Sequence, residues 1–190
     1  TLELGGKSPN IVFEDADFES AVMGAISGIF AATGQTCIAG SRLLVQRSIH
    51  DRFVERLIEV AKEAKIGDPM STETHVGPVT TPPQYRKILD YIEVARKEGA
   101  KCVLGGKPYA GDGVRSDRFV EPTIFTGVSN QMRIAQEEIF GPVLSVIPFE
   151  DEDEAIAIGN DIVFGLAAGV WTSDIGRALR MSEKLKAGTI

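Results

Sequence analysis

The hydrophobic pattern of this chain switches repeatedly between a period of two and a period of about 3.6 residues. Short β-rich runs such as residues 10–13 (NIVF) precede longer segments whose apolar residues fall on one side of a helix. Strands that alternate with helices in this way build layered α/β domains. The sequence therefore predicts an α/β fold, a three-layer domain with a largely parallel central sheet flanked by helices.

The same pattern locates the individual elements. Strands are predicted at 10–13, 43–46, 102–104, 119–125, 143–149 and 167–172, and helices at 18–30, 48–64 and 84–98. Two further helices are predicted to start near Asp151 and Ser173, whose side chains can cap them. Ser48 and Asp51 resemble a capping box for the second helix. Segments 67–83 and 107–118 are predicted to be an ordered loop and a surface excursion, and no composition break divides residues 1–190.

Charge and cysteine content exclude several classes of protein. The 190 residues include 20 Lys+Arg and 27 Asp+Glu, a net charge of -7. With no basic cluster, this balance argues against nucleic acid and acidic membranes as partners. No apolar run approaches the ~20 residues of a membrane span. The two cysteines, Cys37 and Cys102, form no disulfide framework and fit a reducing compartment, so we expect a cytoplasmic protein.

Cys37 is the first candidate for chemistry. Its surroundings, residues 32–41 (ATGQTCIAGS), are small and contain glycines, which leaves room for a substrate to approach the sulfur. They also allow backbone N–H groups to point at the sulfur, which favours a thiolate and any oxyanion formed there. The alternative is a cysteine that packs as a small apolar residue. That is our interpretation of Cys102, which lies in an apolar strand.

A nucleophilic cysteine requires a base. His50, in a predicted first helical turn, and His75, in the proline-rich loop, are both expected to be solvated surface residues. No two Cys or His are spaced as a chelating pair, so no metal site is predicted. Glu3 precedes Gly5 and Gly6 and is flanked by apolar residues, where burial would make it a plausible base. The alternative is an ordinary exposed glutamate.

A third cluster, residues 136–143 (QEEIFGPV), contains two acids beside an aromatic residue and a Gly-Pro break. A carboxylate accepts two hydrogen bonds from ribose hydroxyls, and an aromatic side chain packs against a flat ring. The same residues would serve equally as a helix end with a phenylalanine in the core. From the residues alone both interpretations stay open.

Together these three segments resemble the aldehyde dehydrogenase superfamily. Residues 2–9 (LELGGKSP) resemble its glutamate motif, 30–41 (FAATGQTCIAGS) its cysteine motif, and 137–142 (EEIFGP) its cofactor-ribose motif. The motifs occur in the family's order and at familiar separations. The likeness continues through 77–78 (GP), 105–106 (GG), 119–123 (FVEPT) and 164–167 (FGLA), so it covers essentially the whole chain.

The resemblance implies a role for each candidate residue. Cys37 would attack an aldehyde, and Glu3 would activate the water that hydrolyses the resulting thioester to a carboxylic acid. Glu138 would bind the nicotinamide ribose of NAD or NADP, and Phe140 would lie against the ring region. Two further cofactor contacts are implied: Leu4 on the nicotinamide and Gln84 on the ribose side.

The departures from the family also carry expectations. Family members are well over twice this length, so residues 1–190 resemble the cysteine-bearing catalytic domain without the N-terminal dinucleotide-binding domain and the C-terminal tail. We therefore expect negligible dehydrogenase activity, no cofactor bound to the chain alone, and a parent that is a homo-oligomer, a dimer or tetramer. Two other hypotheses are a catalytically silent structural or binding module of the same fold, and a cysteine hydrolase that uses His50 or His75.

Overall fold

The computed structural model describes residues 4–111, 114 and 118–190. Within them the chain forms six strands and six helices. The strands are β1 (Pro9–Val12), β2 (Arg42–Gln46), β3 (Lys101–Leu104), β4 (Thr123–Thr126), β5 (Val143–Phe149) and β6 (Gly169–Trp171). The helices are α1 (Phe18–Phe30), α2 (His50–Lys62), α3 (Pro82–Lys97), α4 (Arg133–Gln136), α5 (Glu152–Asn160) and α6 (Ile175–Lys184). Short 3₁₀ turns occupy Ala31–Gly34 and Arg47–Ile49.

The strands form one sheet in the order β3-β4-β5-β2-β1-β6. All neighbouring pairs are parallel except β3 and β4, which are antiparallel with a register shift between Cys102 and Leu104. The predicted largely parallel sheet is confirmed. The predicted strand 119–125 is shorter than expected: β4 begins at Thr123, and Val120 makes only an isolated bridge to Pro108.

Alternate residues of the strands feed two apolar layers, one on each face of the sheet. Leu43 and Val45 of β2 pack with α1 and α2, whereas Leu44 packs with α5 and α6 on the other face. α3 and α4 cover the β4 and β5 end of that second face. This alternation is the period-two signal of the sequence, and it produces the three layers. No helix in the described part of the chain is long and apolar enough to cross a bilayer.

Side-chain caps define most helix starts. The Asp17, Asp151 and Asp174 carboxylates accept first-turn N–H bonds at α1, α5 and α6, so the last helix is capped by Asp174 rather than by Ser173. The predicted capping box at Ser48 is wrong. Its hydroxyl donates to Glu14 instead, and α2 begins without a side-chain cap after a 3₁₀ turn.

The candidate motifs meet at one edge of the sheet. The 2–9 segment leads into β1, the cysteine segment into β2, and segment 137–142 into β5. Because β1, β2 and β5 run parallel, the segments that precede them lie together at the amino-terminal ends of the strands. The sheet topology therefore collects three motifs that are widely separated in the chain.

A buried arginine connects this edge to α5. Arg42, at the start of β2, is fully buried. Its guanidinium donates to the carbonyls of Lys7 (3.0 Å), Ile158 (2.9 Å) and Gly159 (2.9 Å) and to Asn130 Oδ1 (2.9 Å). Burial lowers its pKa to about 10, with the nearby carboxylate of Asp161 acting in the opposite direction. The residue stays charged at neutral pH, and its hydrogen bonds offset the cost of desolvation.

Lys7, just before β1, is the second buried cation at this edge. Its side chain is 1% exposed, and its Nζ has no hydrogen-bond partner among the described residues. Burial lowers the pKa of Lys7 to about 7; the positive charge of Arg42 acts in the same direction, and the negative charge of Glu138 opposes it. Lys7 is therefore partly neutral near physiological pH.

The Arg42→Met substitution tests the first of these features. It leaves three buried or half-buried carbonyls without this donor, so we expect a loss of about 3 kcal/mol in the free energy of unfolding, measured by urea denaturation. The matched control Arg86→Met, at an exposed position, should change stability by less than about 0.5 kcal/mol. A loss below about 1 kcal/mol for Arg42→Met would contradict the account.

The pH dependence of the free energy of unfolding tests the lowered pKa of the buried Lys7. Between about pH 7 and the unfolded value near 10.5, the unfolded chain holds a proton on Lys7 that the folded chain has released. Within this pH range the free energy of unfolding therefore rises with pH, by at most about 1.4 kcal/mol per pH unit. Below about pH 7 Lys7 is protonated in both states and contributes no further pH dependence.

We expect wild type to gain stability relative to Lys7→Met as pH rises from about 7 to about 10 in urea titrations. Lys97→Met, at an exposed lysine, should give a curve parallel to wild type. Parallel curves for Lys7→Met and wild type would mean that Lys7 keeps an ordinary pKa in the folded chain.

Candidate active site

Cys37 lies in the turn between α1 and β2, at the amino-terminal edge of the sheet. The side chain is exposed. The backbone N–H groups of Thr36, Cys37 and Ile38 have no backbone acceptor within the described ranges. An exposed thiol beside unpaired N–H groups is a suitable arrangement for a nucleophile whose reaction creates an oxyanion.

The turn that precedes Cys37 is strained. Ala32 (φ 50°) and Thr33 (φ 58°) are non-glycine residues in the left-handed region, followed by Gly34 (φ 67°). Each non-glycine residue there costs on the order of 1 kcal/mol, so surrounding contacts must hold the turn. A glycine is required at position 34 for two reasons. Its backbone is left-handed, and a Cβ there would collide with the carbonyl of Gly141.

Segment 77–80 supplies some of these contacts. The Thr33 hydroxyl donates to the carbonyl of Gly77 (3.1 Å). The Gln35 side-chain amide donates to the carbonyl of Pro78 (3.4 Å), and its Oε1 accepts from both the N–H and the hydroxyl of Thr80 (2.9 Å each). The predicted ordered loop 67–83 thus has a definite role, since it stabilises the strained turn.

Gly6 joins the glutamate motif to both other motifs. A Cβ at Gly6 would collide with the carbonyl oxygen of Cys37, so the two backbones are in direct contact. The Gly6 N–H donates to Oε1 of Glu138 at 2.9 Å. The structure therefore brings the predicted cysteine and cofactor motifs together through one glycine. Glu3, the predicted base, lies outside the described residues, three positions before this glycine.

Segment 137–142 is held in one conformation. Phe140 has a left-handed backbone (φ 59°). The Gln84 amide, from the first turns of α3, donates to the carbonyls of Ile139 (2.7 Å) and Phe140 (2.9 Å). The structure thus shows Gln84 supporting the segment that carries Glu138, a contact that the sequence did not indicate.

The carboxylate next to Glu138 is fully engaged. Glu137 accepts two hydrogen bonds from Arg133 (2.8 and 2.9 Å) and one from the hydroxyl of Tyr91. The bonds from Arg133, followed by the bond from Tyr91, lower the pKa of Glu137 to about 2. Glu137 therefore anchors the segment, whereas the half-buried Glu138 has only its Oε1 hydrogen-bonded among the described residues.

An open groove of about 480 Å³ lies beside the turn that carries Cys37. Thr36 and Ile38, the neighbours of Cys37 in the sequence, line it, and so does Trp171 of β6, whose ring lies against Gly24 of α1. The Trp171 indole N–H donates to Oδ1 of Asn10 at 2.9 Å, so the ring is fixed in place. The groove is predominantly apolar and reaches the turn that carries the thiol.

The other candidates lie elsewhere. Leu4 is 73% exposed on the segment that leads to Gly6. Cys102 is half-buried in β3 rather than fully in the core, and its thiol donates to the Leu104 carbonyl. The His50 side chain is only 17% exposed, against the expectation of a solvated residue.

Neither histidine bonds to Cys37. His50 contacts Asp51, and the exposed His75 accepts the Lys65 N–H. No cluster of metal-ligating side chains occurs in the part of the chain that the structure describes. The described geometry therefore gives the cysteine hydrolase hypothesis no support.

Known proteins resemble this chain over its whole length. The model of the aldehyde dehydrogenase family matches residues 1–190. The betaine aldehyde dehydrogenase of Mesorhizobium japonicum is 53% identical over 189 residues, which cover 100% of this chain and 39% of that protein. The betaine aldehyde dehydrogenase of Brucella anthropi is 52% identical with the same coverage.

Solved structures give the same result. The betaine aldehyde dehydrogenase of Staphylococcus aureus in complex with NAD+ is 49% identical, has a TM-score of 0.97, and covers 99% of this chain and 37% of its own. The HpcC protein of Thermus thermophilus is 44% identical, with a TM-score of 0.95 and coverage of 98% and 37%. The chain thus spans about two-fifths of the length of these relatives. Its sequence and its fold together show that the chain belongs to the aldehyde dehydrogenase family.

Proposed function

We propose that a protein containing this chain at its relatives' full length oxidises a small aldehyde to a carboxylic acid, with NAD or NADP as acceptor and Cys37 as nucleophile. The observation that carries the proposal is the position of Gly6. Its backbone contacts the Cys37 carbonyl while its N–H binds Glu138, so one residue joins the nucleophile to the proposed cofactor carboxylate.

The Cys37 sulfur starts the reaction. The thiolate attacks the aldehyde carbonyl carbon, a C–S bond forms, and the carbonyl oxygen becomes an oxyanion. The unpaired N–H groups of the cysteine turn, that of Cys37 among them, are the donors available to this oxyanion. The apolar groove beside Ile38 and Trp171 receives the organic part of the aldehyde.

The residues at the sheet edge fit a nicotinamide ribose. A Cβ at Gly5 would collide with the Glu138 carboxylate, so glycine lets this carboxylate keep its place, and its Oε2 has no hydrogen bond among the described residues. Glu138 would accept the ribose hydroxyls, and Phe140 and Leu4 would lie along the nicotinamide ring, with Gln84 on the ribose side. When bound, nicotinamide would accept the hydride that leaves the thiohemiacetal carbon, and that carbon would then be a thioester on Cys37.

Glu3 completes the cycle in this proposal. It removes a proton from water, the resulting oxygen attacks the thioester carbonyl, and the C–S bond breaks to release a carboxylic acid and the Cys37 thiolate. Its position three residues before Gly6 supports this role, because Gly6 lies against the cysteine segment.

The names of the relatives indicate which aldehyde to test first. Relatives at 50–53% identity are betaine aldehyde dehydrogenases, and some related structures carry NAD+ and a BME-modified cysteine.

We expect the chain by itself to bind NAD weakly and to have negligible dehydrogenase activity. We also propose that the full-length protein is cytoplasmic and forms a homo-oligomer. A silent module of the same fold, the second hypothesis, would show no Cys37-dependent turnover at full length.

The Glu138→Gln substitution tests the proposed cofactor role. In the full-length protein, with betaine aldehyde and NAD+, we expect the KM for NAD+ to rise about tenfold or more, because an amide replaces a carboxylate that accepts charge-assisted hydrogen bonds. The effect should be larger on KM than on kcat, since the contact binds the cofactor away from the reacting carbon.

Two controls accompany this measurement. Glu183→Gln, at an exposed carboxylate on α6, should leave both constants unchanged, and Cys37→Ser should abolish NADH formation. An unchanged KM for NAD+ in Glu138→Gln would contradict the ribose assignment. Turnover that persists in Cys37→Ser would contradict the mechanism.

A further inference from the structure

Segment 77–84 contacts both halves of the proposed site. Thr80 accounts for two of the hydrogen bonds to Gln35 in the cysteine turn. Four residues later, Gln84 binds the segment that carries Glu138 through the Ile139 and Phe140 carbonyls. Between them, Thr81 caps α3 by accepting the Gln84 N–H, so the two contact points are joined by a short, ordered stretch.

These contacts are one of three connections between the cysteine turn and the segment that carries Glu138. The second connection between the same two segments is Gly6, which contacts the Cys37 carbonyl and binds Glu138. A third is the close approach of Gly34 to the Gly141 carbonyl. One small cavity of about 10 Å³ is lined jointly by all three motifs, as expected for segments that pack directly against one another.

The Gln35 side chain is placed to hold the strained turn. It uses both ends of its amide, donating to Pro78 and accepting from Thr80. Without these bonds, Ala32 and Thr33 could return to the right-handed conformation and continue α1. Cys37 would then move away from Gly6 and from its present exposed position.

We propose that Gln35 is a positioning residue that holds the Cys37 thiol in its reactive arrangement, and that Thr80 and Gln84 connect it to the segment carrying Glu138. The inference rests on the proposed role of Cys37 as nucleophile. It adds a path by which the segment carrying Glu138 and the Cys37 thiol affect each other. This path runs from Gln35 to Thr80 and along the chain to Gln84, since no hydrogen bond joins Gln35 to Gln84 directly.

A double-mutant cycle on this chain tests the path. The readout is the rate of Cys37 alkylation by iodoacetamide at neutral pH, followed by peptide mass mapping. Gln35→Ala should slow alkylation about tenfold, the effect of losing one to two net hydrogen bonds, and Gln84→Met should slow it less. The double variant should lie within about twofold of Gln35→Ala, because both substitutions break the same path.

Two variants of Thr80 provide a conservative rescue. Thr80→Ser keeps the hydroxyl that donates to Gln35 and should react within about twofold of wild type. Thr80→Val keeps the shape but loses the hydroxyl, and should react about threefold more slowly. The rate at Cys102 reports general loosening of the domain and should stay constant in every variant.

The outcomes separate this inference from the proposed function. If the effects of Gln35→Ala and Gln84→Met multiply, or if Thr80→Ser and Thr80→Val react alike, the positioning path is wrong and the family chemistry is unaffected. If wild-type Cys37 reacts no faster than Cys102, the proposed nucleophile fails and the inference fails with it.

Discussion

Contact between the Gly6 backbone and the Cys37 carbonyl sets the geometry on which the rest of the site depends. It requires a residue without a Cβ at position 6, and it leaves the Gly6 N–H free to bind Glu138. Gly6 therefore holds together the segments that carry the Cys37 thiol, the proposed ribose carboxylate of Glu138, and Glu3. Any side chain at position 6 would separate them.

The location of this contact in the sheet is unusual. In open α/β sheets, ligands commonly bind outside the carboxyl ends of the strands. Here the motifs precede β1, β2 and β5 and meet at the amino ends. Two buried cations, Arg42 and Lys7, lie at this edge, and Arg42 ties the start of β1 to the end of α5.

Much of the fold could be predicted from the sequence, because it depends on local periodicity. The α1 bounds and those of β5 match the prediction, since strong apolar patterns and clear caps or breaks define them. The capping box at Ser48 failed because Glu14, 34 residues away, takes its hydroxyl. Tertiary partners of this kind leave no local signal.

In the candidate site, too, local motifs indicated some residues, whereas others depend on tertiary contacts. Cys37 and Glu138 could be named from motifs, and the structure brings their segments together. The left-handed Ala32 and Thr33 could not be anticipated, because neither is a glycine and the contacts that hold them come from segment 77–80. Gln35 lies two residues from Cys37, yet its bond to Thr80 could not be predicted, because only the folded chain brings Thr80 near.

The central claim is that this domain by itself holds Cys37 as a preorganised nucleophile. The most direct measurement compares iodoacetamide alkylation of Cys37 and Cys102 in the folded chain and in urea, by peptide mass mapping. The account predicts that Cys37 reacts far faster than Cys102 in the folded chain, and also faster than the same cysteine in urea. A folded Cys37 that reacts no faster than it does in urea would show that exposure alone, and not the built turn, determines its reactivity.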